Sequence, residues 1–136
     1  MKNYFYLALI ALLFSPFFIY ADNPYEPCFL VNDSVYEVVD VDPEFPGGFE
    51  AMKTFIFENI KYPEKARKNK EHDKLFMEFV VNKNGQIESV KSLKESKPYF
   101  VEEAKRVIQK MPKWKAGELA GKKVKVKLVL PISFKL

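Results

Sequence analysis

The sequence is short of the residues that build metal and disulfide sites. Its 136 residues include one cysteine, Cys28, and one histidine, His72. A lone cysteine excludes a disulfide within the chain, even in an oxidising compartment. A zinc site needs several cysteine or histidine ligands, so one residue of each type excludes the common zinc constellations. We therefore predict that the protein holds no metal and no cofactor.

Patterns typical of catalysis are also missing. No serine after residue 21 stands in the glycine-framed turn of a hydrolase nucleophile. His72 lies between Glu71 and Asp73 in a polar stretch, where a solvated histidine is a simpler interpretation than a catalytic one. Gly47-Gly48 could bind an anion through the free N–H groups of a following helix, but a plain loop-to-helix turn explains the pair as well. The sequence therefore predicts a protein that is not an enzyme.

The first 21 residues form a segment of their own. Lys2 is followed by an uncharged, mostly apolar run from Tyr4 to Ala21, which predicts a secretory signal cleaved after Ala21. Without Lys2, the formal net charge of +4 becomes +3. The run is also just long enough to remain as an uncleaved membrane anchor, so that alternative stays open.

The rest of the chain predicts a leader and one domain. Residues 22–43 contain two prolines before residue 30 and no sustained periodicity, so we expect a loose leader in which Val35–Val41 could pair as a short strand. Residues 44–136 are enough for one domain with its own core. Lysines are scattered among glutamates along this stretch, which disfavours a nucleic-acid-binding patch.

Three segments are predicted to form helices. Residues 49–60 place an apolar side chain every three or four positions, which predicts a helix that ends near Lys61 because Pro63 follows. Pro63 itself favours the start of a second short helix that runs to Lys68. The third segment, Pro98–Met111, has one apolar face, with acidic residues in its first half and basic residues in its last.

Alternating apolar residues predict three longer strands. Lys74–Val81 leads through the turn signal Asn84-Gly85 into Ile87–Leu93, where apolar residues spaced three apart predict a bulge. The last stretch, Lys122–Leu136, alternates furthest, so it predicts a strand in a sheet that is covered on one side only. Its apolar positions are Val124, Val126, Leu128, Leu130, Ile132 and Phe134.

These elements predict an α+β fold with helices packed on one face of a small antiparallel sheet. The sheet should have about three strands, with room for a fourth short N-terminal one. The last strand should lie beside Lys74–Val81, and its outer edge should be open unless Val35–Val41 covers it. Pro131 has no N–H and suits an edge. The lysines of the strand protect such an edge from aggregation, and the same edge could bind a partner. We expect Trp114 to pack under the sheet.

Several motifs, in this order, resemble the C-terminal domain of TonB, the periplasmic energy transducer. The resemblance covers about residues 44–136, and the opening Pro-Glu-Phe-Pro-Gly-Gly is similar to the version of this domain that is common in Bacteroidetes. The motifs are Tyr62-Pro63-Glu64-Lys65-Ala66, the hairpin with Asn84-Gly85-Gln86-Ile87, the run Met111-Pro112-Lys113-Trp114-Lys115-Ala116-Gly117, and the final alternating strand.

The resemblance implies a domain that holds a protein or peptide segment as an added strand. It implies a pairing edge from Lys123 to Leu130, and it places Tyr62 and Pro63 near the partner. The partner-binding residues would then be Lys123, Lys125, Lys127, Val129, Tyr62 and Pro63. A TonB-dependent outer-membrane receptor is one candidate partner, and the periplasm is the expected location, with inner-membrane anchoring as the alternative.

The predicted leader is shorter than the linker of a complete transducer. About 25 residues separate Ala21 from Pro46, and even fully extended they reach roughly 90 Å. We therefore predict a stand-alone domain that does not carry force between the two membranes. A structural module whose edge pairs with itself, as a homodimer, or with another envelope component remains the second hypothesis.

Overall fold

The computed structural model describes residues 33–136. The predicted signal at residues 1–21, the first half of the predicted leader and Cys28 lie outside the described residues. The elements in chain order are β1 (Val35–Tyr36), α1 (Gly48–Asn59), α2 (Glu64–Lys68), β2 (Asp73–Val81), β3 (Ile87–Ser92), α3 (Pro98–Gln109), β4 (Gly117–Leu119) and β5 (Lys122–Phe134). This order confirms the predicted α+β fold.

The sheet is built around the two longest strands. Its order is β1-β5-β2-β3, and β2 runs antiparallel to both of its neighbours. β5 pairs with β2 from Val126 to Phe134, so the predicted place of the last strand is confirmed. The N-terminal strand is also present, but β1 spans only two residues and runs parallel to β5.

The predicted bulge lies in β3. Glu78 of β2 pairs with Lys91, whereas Val80 pairs with Glu88, so β3 carries one residue more than β2 between these pairs. Ser89 sits within this insertion at a φ of +54°. A residue in this left-handed region bends the strand and lets the pairing resume in a new register.

The helices cover one face of the sheet. β5 turns Val126, Ile132 and Phe134 into the core, while the intervening residues are partly or fully exposed. α3 contributes Phe100, Ala104, Val107 and Ile108 to the same core. The predicted burial of Trp114 is confirmed, since 7% of the residue is exposed and its indole packs edge-on against Phe79.

One strand was not predicted. β4 begins at Gly117 and pairs with the first residues of β5. Ala120 and Gly121 form the connecting turn with φ values of +50° and +74°, the conformation that suits a two-residue hairpin. β4 also bridges to Val41 through Glu118, which attaches the segment before α1 to the sheet.

Candidate functional site

β5 has an unpaired stretch on one side. β2 occupies one side of β5 from Val126 to Phe134, and β1 covers the opposite side at Lys125 and Val126. Among residues 33–136, no strand pairs with β5 beyond Val126 on the β1 side. We call this side of residues 128–133 the open edge.

The open edge is shorter than the sequence predicted. The expected pairing edge ran from Lys123 to Leu130, but Lys125 already pairs with Val35 of β1. This non-local contact, which the alternation of β5 alone does not reveal, limits the open stretch to the C-terminal half of the strand. Val129 lies in the middle of this stretch.

The direction of the backbone groups follows from one hydrogen bond. Leu93 donates its N–H to the carbonyl of Phe76 at 2.9 Å, so Phe76 faces β3. Backbone groups alternate sides along a strand, so Met77 faces β5, and its partner Leu130 faces β2. The odd residues of β5 consequently face the open edge. Val129 and Ser133 direct N–H groups there, whereas Pro131 between them has none to offer.

α1 forms a wall beside the open edge. Two adjoining hollows of about 550 and 370 Å³ lie between α1 and residues 128–133, and we call them together the α1 groove. Its lining is mainly apolar and includes Phe45, Phe49, Met52, Phe57 and Trp114. Phe49 is 64% exposed although the sequence placed it on the buried stripe of the helix. The groove therefore offers apolar contact area next to unpaired backbone.

Two lysines of β5 are held by ion pairs on the other face of the sheet. Lys127 Nζ lies 2.7 Å from Glu37 Oε1, and Lys125 Nζ lies 2.9 Å from Asp33 Oδ2 and 3.3 Å from Glu88 Oε2. The hydrogen bond to Glu37 raises the pKa of Lys127, and the hydrogen bond to Asp33 raises the pKa of Lys125. Both side chains are therefore bound to neighbours within the chain.

Tyr62 and Pro63 lie at a different place, between α1 and α2. The Tyr62 hydroxyl donates to the carbonyl of Glu71, and its ring packs edge-on against Phe100 and Phe134. Both residues line a hollow of about 770 Å³ whose rim carries charged side chains of α2 and α3. Because Phe134 ends β5, this hollow adjoins the far end of the strand and not the middle of the open edge.

An ion pair fixes the turn that carries Tyr62. Arg106 donates to Glu103 and, at 2.7 Å, to the carbonyl of Asn59 at the end of α1, while Glu103 accepts the N–H of Lys61 at 2.6 Å. Burial raises the pKa of Glu103, but the hydrogen bonds from Arg106 and Lys61 outweigh burial and leave its pKa below the ordinary value. The pair thereby joins the C-terminus of α1 to α3.

Two kinds of structure are absent from the described residues. In residues 33–136, no three His, Cys, Asp or Glu side chains are grouped so that they could hold a metal ion. No helix in the same range combines the length and the apolar character needed to cross a membrane.

Sequence reasoning missed the groove residues on α1 and before it. Phe45 belongs to the Pro-Glu-Phe-Pro-Gly-Gly opening, and Phe49 and Phe57 lie two helical turns apart on α1. A helix of this length with aromatic residues on more than one face is unusually apolar for a surface helix. That excess of aromatic residues is the signal that could have indicated a groove.

The comparisons with known proteins concern most of the described residues. A family model described as the C-terminal part of the Gram-negative bacterial TonB protein matches residues 58–136. Among solved structures, the chain matches the NMR solution structure of the Helicobacter pylori TonB-CTD with 21% identity and a TM-score of 0.47, over 62% of this chain and 77% of that one. No curated protein matches the chain. Because the family model covers more than half of the sequence, the chain belongs to the family of TonB C-terminal domains.

Proposed function

We propose that this domain binds an extended segment of a partner protein as an added strand on the open edge of β5. The observation that carries the proposal is the row of unpaired backbone groups at residues 128–133, with the α1 groove beside it. In strand addition, main-chain hydrogen bonds supply affinity, and pockets for alternate side chains supply selectivity. The open edge offers the main-chain groups, and the α1 groove offers the pockets.

The groove determines which side chains the added strand should carry. Successive side chains of a strand point to opposite faces, so every second residue of the partner would enter the α1 groove next to Leu128 and Leu130. Those residues should be apolar, because the groove lining is. The remaining residues would lie on the outer face beside Val129, which is 49% exposed.

The family supports a location and a class of partner for the proposed binding. TonB C-terminal domains are protein-interaction domains of the bacterial envelope, connected with transport. We propose a periplasmic, non-enzymatic domain without a cofactor, released by cleavage after Ala21, and a TonB-dependent outer-membrane receptor as a candidate partner. The mature protein should begin at Asp22, which N-terminal sequencing can check. Recovery of Met1 in a membrane fraction would instead support the inner-membrane-anchored form.

Self-association is the second candidate, and the same open edge favours it. Two copies could pair their β5 strands around a two-fold axis, which would satisfy the backbone groups of both. A series of molecular-mass measurements at rising protein concentration separates the two candidates. If the protein stays monomeric at every concentration, the edge remains available to a different protein. If it forms a dimer that Val129→Pro dissociates, the structural module is supported.

A peptide-display experiment tests the proposed function. Random peptides of about ten residues, the length of a strand, are selected for binding to the whole chain. Proline at Val129 removes the N–H that faces the open edge and obstructs an approaching strand, whereas Val129→Thr keeps the backbone intact. We expect selected peptides that bind the parent and Val129→Thr but not Val129→Pro, while circular dichroism shows both variants folded. If Val129→Pro is folded and retains every selected peptide, strand addition at this edge is wrong.

A further inference from the structure

We propose that β1 is a displaceable strand that competes with the partner segment for the edge of β5 and thereby regulates binding. The inference rests on the proposed function, because it concerns the same edge. β1 lies on the open side of β5, at Lys125 and Val126, immediately before the unpaired stretch begins. A partner strand that extends towards the start of β5 must therefore meet β1.

β1 is weakly held by side-chain packing. It consists of Val35 and Tyr36 alone, and no residue from 33 to 41 belongs to the buried core. Val35 is 43% exposed, and Val38, just beyond the strand, is 84% exposed. Because apolar burial is the main favourable term in folding, this segment gives up little of it when it leaves the sheet.

Surface ion pairs supply the remaining attachment. One pair joins Asp33 to Lys125 before β1, and another joins Glu37 to Lys127 after it. The two carboxylate side chains are 65% and 71% exposed. Exposed pairs of this kind are screened by salt, so the attachment of β1 should depend on ionic strength.

The chain after β1 is anchored separately. Asp40 and Val41 donate their N–H groups to the carbonyl of Glu118 at 3.0 and 3.1 Å, and Ala120 donates to Asp40 Oδ2 at 2.8 Å. Phe45 follows and is buried in the core. Residues 33–39 can therefore leave β5 while the segment from Asp40 onward keeps its contacts.

Release of β1 would lengthen the edge that a partner can use. Lys125 and Lys127, as odd residues, direct their backbone groups to the β1 side. Tyr36 lies opposite Val126, whose own groups face β2, so in the parallel ladder Tyr36 donates its N–H to the carbonyl of Lys125 and accepts the N–H of Lys127. Val35, its neighbour, directs its N–H away from β5. By the same rule Lys125, opposite Val35, donates its N–H to the carbonyl of Ser34. Release of residues 33–39 thus frees both lysine N–H groups.

Amide hydrogen exchange on the intact protein tests whether β1 opens. Local opening without global unfolding raises the exchange rate of the amides that it uncovers. We expect the Lys125 and Lys127 amides to exchange at least about tenfold faster than those of Val126 and Leu128, which face β2. The double variant Asp33→Asn with Glu37→Gln should accelerate the two lysine amides further and leave Leu128 unchanged. Equal protection of all four amides would mean that β1 is a fixed part of the sheet.

Peptide affinity tests whether that opening regulates the site. The probe is a displayed peptide that binds the parent and is lost on Val129→Pro. Tyr36→Pro removes the N–H that bonds to Lys125, whereas Val35→Pro is the matched control at a position that faces away. If β1 covers the edge for about nine-tenths of the time, its release should tighten binding about tenfold. We expect this gain in Tyr36→Pro and little change in Val35→Pro.

The outcomes separate the two proposals. If Val129-dependent peptides bind Tyr36→Pro no more tightly than Val35→Pro, β1 does not compete, and the regulation is wrong while the proposed function stands. If no peptide depends on Val129 in any variant, the proposed function has failed, and the regulation is overturned with it. Tighter binding to Tyr36→Pro together with fast exchange at Lys125 supports both proposals.

Discussion

The ring of Phe45 meets the indole of Trp114 edge to face, with ring centroids 5.6 Å apart and ring planes at 88°. Phe45 precedes the part of the chain that the family model matches, whereas Trp114 lies inside it. Phe45, directly before α1, is therefore part of the packed core. Its packing on Trp114 also explains how residues outside the family match come to form a wall of the α1 groove.

Removal of the Trp114 side chain should destabilise the domain strongly. Trp114→Ala leaves a large cavity between Phe45 and Phe79, and such changes cost about 3 to 5 kcal/mol in the free energy of unfolding. The indole N–H is buried and has no hydrogen-bond partner among the described residues. Trp114→Phe therefore loses no hydrogen bond of the indole N–H, and it should cost roughly half as much. Urea unfolding measures both changes, and a loss below about 1 kcal/mol for Trp114→Ala would contradict the observed packing.

Gly85 should be far less tolerant of alanine than Gly121. Both glycines have positive φ, +79° and +74°, so alanine is strained at either position. A Cβ on Gly85 would lie 1.9 Å from the carbonyl oxygen of Trp114, whereas a Cβ on Gly121 meets nothing within 4 Å.

We expect Gly121→Ala to cost about 1 kcal/mol from backbone strain alone. Gly85→Ala should cost at least about 3 kcal/mol, since the backbone must move. Thermal or urea unfolding of the pair checks this. Similar costs at the two positions would show that strain, and not the contact with Trp114, dominates.

Glu103 should make stability depend on acidic pH. Its pKa lies below the ordinary value of 4.5, despite burial, because Arg106 and the Lys61 N–H bind the charged form. The stabilisation is therefore fully present above the unfolded pKa and is lost as the pH falls through the lower folded pKa. We expect the free energy of unfolding of Glu103→Gln to fall less steeply than that of the parent between about pH 6 and pH 3. Parallel curves would mean that other carboxylates account for the acid sensitivity.

Phe49 should affect peptide binding more than stability. It lines the α1 groove and is already largely exposed, so Phe49→Ala removes contact area for a partner but little from the core. Val38→Ala is the control, since Val38 is exposed and does not line the groove. We expect Val129-dependent peptides to bind Phe49→Ala roughly tenfold more weakly, about 1.4 kcal/mol. Unchanged binding would place the partner's side chains elsewhere.

Local patterns predicted most of the fold. The spacing of apolar residues located α1 and α3, Pro63 located the start of α2, and Asn84-Gly85 located the hairpin, because these signals depend on neighbours within a few residues. The bulge at Ser89 followed from apolar residues three apart in a strand. Each of these features arises from one short segment, so the sequence is sufficient to predict it.

The parts that the sequence could not predict depend on contacts between distant segments. β4 is three residues long and has no alternation to mark it; it becomes a strand because Val41 and β5 pair on either side of it. For β1, the sequence predicted a short strand but left open whether it covers β5, because the pairing joins residues some 90 positions apart. The pairing of β1 decides where the open edge begins, and this is why the predicted edge began too early.

Pro131 makes the open edge unsuited to fibril growth. The two N–H groups that remain beside it, on Val129 and Ser133, are four residues or about 13 Å apart along the strand. Amyloid growth requires each new strand to find an unbroken row of donors on the last one. A fibril built from β5 would forfeit a hydrogen bond at Pro131 in every layer, so the edge suits one short-lived guest strand better than unlimited stacking.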